Sequence, residues 1–258
     1  VRAKLHAPRI PADLVCRDRL HKLLARNPGR PFTLVSAPAG YGKSTLVAHW
    51  LTTANLPGTW LSLEESDNDI RQFLTYLIAA VRKLSRKACG NTLSLLRAPD
   101  LPLAALREQL SNDLDAIRKP FLLVLDDFHR IDRTEVHETI NHLLGLPPRS
   151  LHLVIVTRHD PPVELTKLRA DGRMVDVRER DLRFTAQETR AVLGQIAGID
   201  VARGNQDVCV ETIAPVRHQR RVGVRGRCRR KARQDPDLVG REQPVVDPQV
   251  THLKQVPL

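Results

Sequence analysis

The stretch that most constrains the fold of this chain is residues 32–45, which read F-T-L-V-S-A-P-A-G-Y-G-K-S-T. A short apolar run ends in a glycine-containing loop, and Gly-Lys-Ser-Thr then opens an amphipathic segment. A strand, a loop and a helix in this order are typical of a phosphate-binding P-loop, in which consecutive backbone N–H groups surround the phosphates. The helix adds its free N–H groups and its positive dipole end. The stretch therefore predicts a nucleotide site.

In a loop of this kind, Lys43 reaches the β- and γ-phosphate oxygens and the Ser44 hydroxyl ligates Mg²⁺. The loop departs from the usual pattern because Ala37 stands at the first glycine position. Gly40 and Gly42 remain, and each can adopt a positive φ. The residues predicted to contact the nucleotide here are Pro38, Ala39, Gly40, Tyr41, Gly42, Lys43, Ser44 and Thr45.

A second decisive stretch, residues 121–127, reads F-L-L-V-L-D-D and follows Pro120. A continuous apolar run of this length is typical of a strand buried on both faces of a parallel sheet. Carboxylates at its carboxyl end would lie beside the P-loop, where open α/β sheets bind ligands. We expect Asp126 to hold Mg²⁺, directly or through water, and Asp127 to polarise the attacking water. The alternative is two solvated aspartates that end a strand.

Residues 151–157, L-H-L-V-I-V-T, predict another buried strand, and Arg158 follows its carboxyl end. An arginine at this place can contact the γ-phosphate and report its presence. The alternative is a surface arginine at the start of a loop. In the same way, Arg17 either belongs to the site or is a solvated residue at the entry of a helix.

Strands and helices alternate along the chain, which predicts a parallel sheet with helices on both faces. Strands are predicted at residues 32–36, 58–63, 121–127, 151–157 and 174–178. Helices are predicted near residues 20–24 and at 43–54, 70–81, 103–117, 135–144 and 163–170, with a last one that follows a Thr185–Glu188 capping box. Residues 85–100 are predicted to form a loop.

The net charge of +12 favours a polyanionic partner, but the charge is unevenly distributed. Residues 201–258 hold 12 Lys and Arg against 6 Asp and Glu, with nine basic residues at 217–233. They contain only four Leu, Ile or Met, too few to bury a core that offsets the entropy of folding. Two interpretations stay open: a basic arm that binds nucleic acid or acidic partners, or a segment read out of frame from a high-GC gene.

The four cysteines, Cys16, Cys89, Cys209 and Cys228, match no Cys-x-x-Cys or Cys/His metal spacing. We interpret them as scattered thiols in a reducing compartment. No apolar run approaches the roughly 18 residues of a membrane span, and no signal peptide is recognised. We therefore expect a cytoplasmic protein with no membrane partner.

Longer motifs occur in order within residues 4–199. They read K-L-H-A-P-R-I-P-A-D-L-V-C-R-D-R-L, A-P-A-G-Y-G-K-S-T, T-W-L-S-L-E-E-S-D-N-D, F-L-L-V-L-D-D-F-H-R-I, H-L-V-I-V-T-R-H-D-P-P and R-E-R-D-L-R-F-T. Together they resemble the nucleotide-binding module of the MalT-like, ATP-dependent regulators of the LuxR family, which belong to the STAND class of signal-transduction ATPases. Since the similarity stops near residue 199, we expect a truncated or frame-shifted reading beyond it.

The resemblance implies an ATP/ADP switch, in which ADP holds the resting form and ATP with an inducer favours an active form that self-associates. It implies that Asp126 and Asp127 are the Walker B acids, that Arg158 is the sensor, and that Arg17 lies near the adenine. It also implies that DNA is bound by a C-terminal helix-turn-helix domain, which is not visible in this sequence.

We therefore expect an α/β P-loop NTPase fold, with a parallel sheet in the order 5-1-4-3-2 flanked by helices. The predicted parts are a lead-in (1–30), the ATPase domain (31–180), the start of a helical subdomain (181–200) and a basic tail (201–258). The expected function is an ATP-binding signal-transduction switch that hydrolyses ATP slowly. The alternatives are a working P-loop ATPase of the remodelling or loading type, and nucleic-acid binding through the tail.

Overall fold

Five parallel strands form one sheet in the computed structural model, which describes residues 3–26, 29–100 and 102–197. The strands are β1 (Phe32–Ser36), β2 (Gly58–Ser62), β3 (Phe121–Asp126), β4 (Leu151–Thr157) and β5 (Met174–Arg178). Their order is β2-β3-β4-β1-β5, and every neighbouring pair is parallel. This confirms the predicted order, read from the opposite edge. The predicted tail at 201–258 lies outside the described residues.

Helices occupy the connections between the strands. They are α1 (Asp18–Leu24), α2 (Lys43–Thr53), α3 (Ile70–Arg82), α4 (Gly90–Leu95), α5 (Leu103–Asp115), α6 (Thr134–Gly145), α7 (Leu165–Ala170), α8 (Glu179–Leu182) and α9 (Ala186–Ala197), with 3-10 turns at Ala3–Leu5, Glu65–Asn68 and Phe128–Arg130. Among the parts of the chain that the structure describes, no helix is both long and apolar enough to cross a membrane.

Helix α4 corrects the prediction of a loop over residues 85–100. Its six residues span less than two turns, so no 3.6-residue period could reveal it in the sequence. The helix depends on a tertiary contact, because the backbone N–H and the hydroxyl of Thr92 both donate to Asp113 Oδ2 of α5, at 2.9 and 2.8 Å.

The core forms two layers, one on each face of the sheet, and strand β3 contributes to both. Leu123 and Leu125 pack on the side of α3, α5 and α6, whereas Leu122 and Val124 pack on the side of α1 and α2. Successive side chains of a strand point to opposite faces, so a strand covered on both sides needs an unbroken apolar run. Each such side chain contributes about 1.5–3 kcal/mol on burial.

The lead-in is fastened to the segment after β5 through Arg17. This side chain is only 8% exposed, so its interpretation as a solvated residue is wrong. Its Nη2 donates to the carbonyl oxygens of Leu182 and Arg183, at 2.6 and 2.9 Å, and lies 3.4 Å from Glu188 Oε2. The guanidinium carbon also lies 4.5 Å from the centre of the Phe184 ring.

Glu188 also belongs to the predicted capping box at the start of α9. The Thr185 N–H donates to Glu188 Oε2 at 2.9 Å, and the Glu188 N–H donates to Thr185 Oγ1 at 3.2 Å. The reciprocal pair satisfies two of the N–H groups at the beginning of the helix. One carboxylate thus serves both the helix start and the lead-in.

Candidate nucleotide-binding site

The loop between β1 and α2 has the backbone conformation that the sequence predicts. Gly40 and Gly42 have φ values of +89° and +71°. A Cβ at Gly42 would meet no atom within 4 Å, so the left-handed backbone, and not crowding, is what requires glycine there. Gly42 is the N-cap residue of α2, and no side chain caps that helix end. The first backbone N–H groups of α2 are therefore available as hydrogen-bond donors to a phosphate.

The other residues of the predicted loop take distinct places. Pro38 and Ala39 are exposed, Tyr41 is half-buried, and Thr45 lies in the first turn of α2. The Tyr41 hydroxyl donates to Glu179 Oε1 of α8 at 3.0 Å. This hydrogen bond joins the P-loop to the segment after β5, which also accepts the hydrogen bonds of Arg17.

Lys43 lies close to the other charged residues that were predicted for the site, Asp126, Asp127 and Arg158. Its Nζ donates to the carbonyl oxygen of Pro38 at 2.9 Å, which folds the side chain back over the loop. Burial lowers the pKa of Lys43, and the positive charge of Arg158 lowers it further, while Asp126 and Asp127 act in the opposite direction. Arg158, Asp126 and Asp127 therefore lie close enough to Lys43 for their charges to act on it.

Ser44 and Asp126 are in direct contact. The Ser44 hydroxyl donates to Asp126 Oδ1 at 2.9 Å, and the Asp127 N–H donates to the same oxygen at 3.0 Å. Asp126 is 6% exposed. Burial, and then the neighbouring charge of Asp127, raise the pKa of the Asp126 carboxyl to about 6. Solvated aspartates would not behave in this way, so that alternative is wrong for Asp126.

These two residues fit a Mg²⁺ ion. A hydroxyl and a carboxylate supply the oxygen ligands that this ion prefers. Neighbouring ligands of an octahedral Mg²⁺ lie about 2.9 Å apart, given metal–oxygen distances of about 2.0–2.1 Å. The distance between Ser44 Oγ and Asp126 Oδ1 is also 2.9 Å. The pair could hold the ion with little rearrangement.

Asp127 adopts a left-handed backbone, with φ at +56°, directly after β3. Its side chain is 43% exposed, and its Oδ1 lies 3.9 Å from Nδ1 of His129. This histidine was not among the predicted site residues. Its Nδ1 is buried without a hydrogen-bond partner, and burial followed by the charge of Arg158 lowers the pKa of the ring. The signal in the sequence was its position two residues after the acidic pair.

Arg158 is exposed and follows β4 at the same edge of the sheet. The segment that carries it is held on both sides. The Thr157 hydroxyl donates to the carbonyl oxygen of His159 at 2.9 Å, and the Asp160 carboxylate pairs with Arg178 and, at 3.3 Å, with Arg169. Arg158 thus extends from a fixed loop with its charge beside that of Lys43.

The acidic segment after β2 has a structural part in this edge of the sheet. Asp67 is fully buried, and both of its oxygens accept from Lys4 Nζ at 3.0 Å. Asn68 Oδ1 accepts from the Asp132 N–H at 2.8 Å. The segment therefore braces the lead-in and the loop after β3.

The family of the chain follows from a comparison of its sequence. The sequence model of the AAA ATPase domain matches residues 14–156, which is more than half of the chain. The chain belongs to the AAA ATPase domain family. The match includes the P-loop, Asp126 and strand β4 as far as Val156.

The predicted resemblance to MalT-like regulators is also confirmed. The chain is 37% identical over 189 residues to the HTH-type transcriptional regulator MalT of Serratia proteamaculans, and 34% identical to MalT of Yersinia enterocolitica. Each alignment covers 73% of this chain and 21% of the relative. The chain therefore spans about a fifth of the length of these relatives.

Among solved structures, the chain is similar to a STAND protein with a tetratricopeptide repeat sensor from Pyrococcus horikoshii. The TM-score is 0.48 and the identity 13%, over 74% of this chain and 27% of that one. It is also similar to Cdc6p from Pyrobaculum aerophilum, with a TM-score of 0.43 and 18% identity, over 74% of this chain and 50% of that one.

Proposed function

We propose that this chain is the ATP/ADP-binding switch module of a MalT-like transcriptional regulator, that it binds the nucleotide with Mg²⁺, and that it hydrolyses ATP slowly. The observation that carries the proposal is the contact of Ser44 with Asp126 beside the left-handed glycines of the loop. The membership in the AAA ATPase domain family and the similarity to MalT support it.

In this proposal, the N–H groups at the start of α2 bind the β-phosphate, and Lys43 exchanges its contact with Pro38 for the phosphate oxygens. Ser44 and Asp126 hold the Mg²⁺, which supplies positive charge where negative charge develops on the phosphates. Arg158 contacts the γ-phosphate. The contact of Arg17 with the adenine stays a prediction, since its Nη2 is engaged with Leu182 and Arg183.

Slow hydrolysis is favoured by the surroundings of Asp127. A residue that orients the attacking water works best when short hydrogen bonds fix it. The Asp127 carboxylate is 43% exposed, and its Oδ1 lies 3.9 Å from Nδ1 of His129, too far for a hydrogen bond. A carboxylate held so loosely would orient and polarise water less well than a fixed one. A remodelling or loading ATPase, which needs sustained turnover, is the second candidate.

The properties of a whole regulator remain proposals for this chain. The relatives are named HTH-type regulators, and the chain covers 21% of their length. We propose that DNA is bound by a helix-turn-helix domain that lies outside the matched residues, and that the ATP form self-associates. Weak nucleic-acid binding through residues 217–233 would be sensitive to salt and would disappear on their deletion.

The central test is nucleotide binding by Lys43→Ala, measured by isothermal titration with ATP and with ADP. Loss of a charge-assisted contact should weaken binding by about 10–100-fold. Lys87→Ala, which removes an exposed lysine outside the site, is the matched control and should keep the wild-type affinity. Unchanged ATP affinity in Lys43→Ala would contradict the proposal, and turnover in the range of about 1–100 s⁻¹ would favour the working ATPase.

A further inference from the structure

Two histidines and a cysteine meet on the α1–α2 side of the fold, outside the nucleotide site. Cys16 precedes α1, His21 lies within α1, and His49 lies within α2. One nitrogen of each histidine and the Cys16 sulfur all lie within 4.8 Å of one another. The interpretation of Cys16 as a scattered thiol missed this cluster, because His49 is distant from Cys16 in the sequence and no known ligand spacing connects the two residues.

The two imidazoles are already arranged as a pair of ligands. His21 Nε2 and His49 Nδ1 are 2.9 Å apart, and the rings meet edge to face with their centres 4.6 Å apart. Two nitrogens bound to one tetrahedral zinc, at about 2.0–2.1 Å each, lie about 3.3 Å from one another. If the two nitrogens moved apart by a few tenths of an ångström, their distance would match that of two zinc ligands.

Thr53 favours the required tautomer of His21. Its hydroxyl donates to the carbonyl oxygen of Trp50 at 3.1 Å, so its lone pairs are free to accept from His21 Nδ1, which lies 3.5 Å away. With the proton of His21 on Nδ1, the lone pair of Nε2 accepts the 2.9 Å hydrogen bond from Nδ1–H of His49. Metal binding would move this His49 proton to its Nε2 through water, which leaves a lone pair on each of the two facing nitrogens. A hydrogen bond to the second nitrogen is the usual support of a metal-bound histidine.

Cys16 is exposed, and its S–H donates to Asp18 Oδ1 at 3.1 Å. Metal binding would break this S–H bond, release the proton to water and form a bond between the sulfur and the metal. The carboxylate of Asp18 adds negative charge for a cation. It also stands close enough to the sulfur to accept a hydrogen bond from a water bound to the metal.

We propose that Cys16, His21 and His49 form a Zn²⁺ site, with the fourth position open to water. A set of one thiolate and two imidazoles binds Zn²⁺ in preference to the hard ion Mg²⁺. The bound ion would join the lead-in to α2, the helix that begins with Lys43 and Ser44. The site goes beyond the proposed nucleotide switch and does not depend on it.

The test uses Co²⁺ as a spectroscopic substitute for Zn²⁺ in the full-length chain. Cys209→Ser and Cys228→Ser form the background, so that the thiols of the tail do not bind the probe. We expect one equivalent of Co²⁺, with visible absorption typical of a tetrahedral site and a near-ultraviolet thiolate-to-cobalt band, both removed by added Zn²⁺. In this background, Cys16→Ser should lose the thiolate band.

His21→Gln and His49→Gln should each weaken Zn²⁺ binding by at least about tenfold. His142→Gln, on α6, is the matched control and should keep both the spectrum and the affinity. Because Cys16 is exposed, Cys16→Ser should fold normally, and circular dichroism checks this for each variant. Absence of a tetrahedral Co²⁺ spectrum, or a thiolate band that survives Cys16→Ser, would overturn the proposal.

Discussion

The Ser44 hydroxyl donates a 2.9 Å hydrogen bond to Asp126 Oδ1 and so joins the start of α2 to the end of β3. The two residues are separated by 82 positions in the sequence. The parallel sheet brings them together, because the carboxyl ends of β1 and β3 lie at the same edge with β4 between them. The same two oxygens can stabilise each other without a ligand and bind a cation when one is present.

Asp126→Asn should make ATP binding nearly independent of Mg²⁺. The amide keeps an oxygen for the Ser44 hydroxyl but loses the negative charge that a divalent ion needs. We expect about 10–100-fold weaker ATP binding in Mg²⁺ and little change in EDTA, measured with a fluorescent ATP analogue. Asp171→Asn, an exposed aspartate at the end of α7, should behave like the wild type. Equal losses with and without Mg²⁺ would argue against a metal ligand.

The stability of the nucleotide-free and metal-free protein should depend on pH through Asp126. In the unfolded chain this carboxyl ionises near 3.8, whereas in the folded protein its pKa is about 6. Its contribution to the free energy of unfolding is therefore fully present below pH 4, declines between pH 4 and 6, and is lost above pH 6. The decline amounts to about 3 kcal/mol.

The variant Asp126→Asn has no ionisable group at this position, so comparing it with the wild type isolates the pH dependence that is due to Asp126. The stability of the variant relative to the wild type should rise by about 2 kcal/mol between pH 4 and pH 7.5, measured by urea unfolding at both pH values. A difference that does not change with pH would mean that the pKa of Asp126 is not raised.

Arg158→Ala should reduce the preference for ATP over ADP. The arginine is expected to contact only the γ-phosphate, so the variant should lose about tenfold in ATP affinity and keep its affinity for ADP. Isothermal titration with each nucleotide measures the ratio. Arg86→Ala, an exposed arginine between α3 and α4, should leave the ratio unchanged. Equal losses for ATP and ADP would show that Arg158 does not distinguish the two.

Arg17→Ala should destabilise the protein more than Arg19→Ala, although both arginines contact Glu188. Arg17 is buried, and its removal leaves the Leu182 carbonyl without that donor, at a cost of about 2–4 kcal/mol. The Arg19 side chain donates to the Asp181 and Arg183 carbonyls as well, but it is 37% exposed and water can replace it as a donor, so we expect a loss of at most about 1 kcal/mol. Urea unfolding followed by tryptophan fluorescence measures both, and equal losses would contradict the ranking.

The nucleotide site could be predicted from the sequence because its parts are encoded locally. The apolar runs before Lys43 and Asp126 predict buried parallel strands. Since the carboxyl ends of parallel strands lie at the same edge of a sheet, the two ends are expected to lie together. What could not be predicted depends on distant partners. The burial of Arg17, the six-residue helix α4 and the meeting of Cys16 with His49 each require a contact between residues far apart in the sequence.

Two of the acceptors that Arg17 uses are the backbone carbonyl oxygens of Leu182 and Arg183, and this has a consequence for sequence variation in the segment after β5. The carbonyl of Arg183 accepts the same bond whatever side chain position 183 carries. Random mutagenesis of the gene should therefore recover many neutral replacements at position 183 and few at position 17. The Arg183 carbonyl also accepts from Arg19 Nη2, so replacing Arg17 removes the contact with Leu182 without breaking the whole link between the lead-in and the segment after β5.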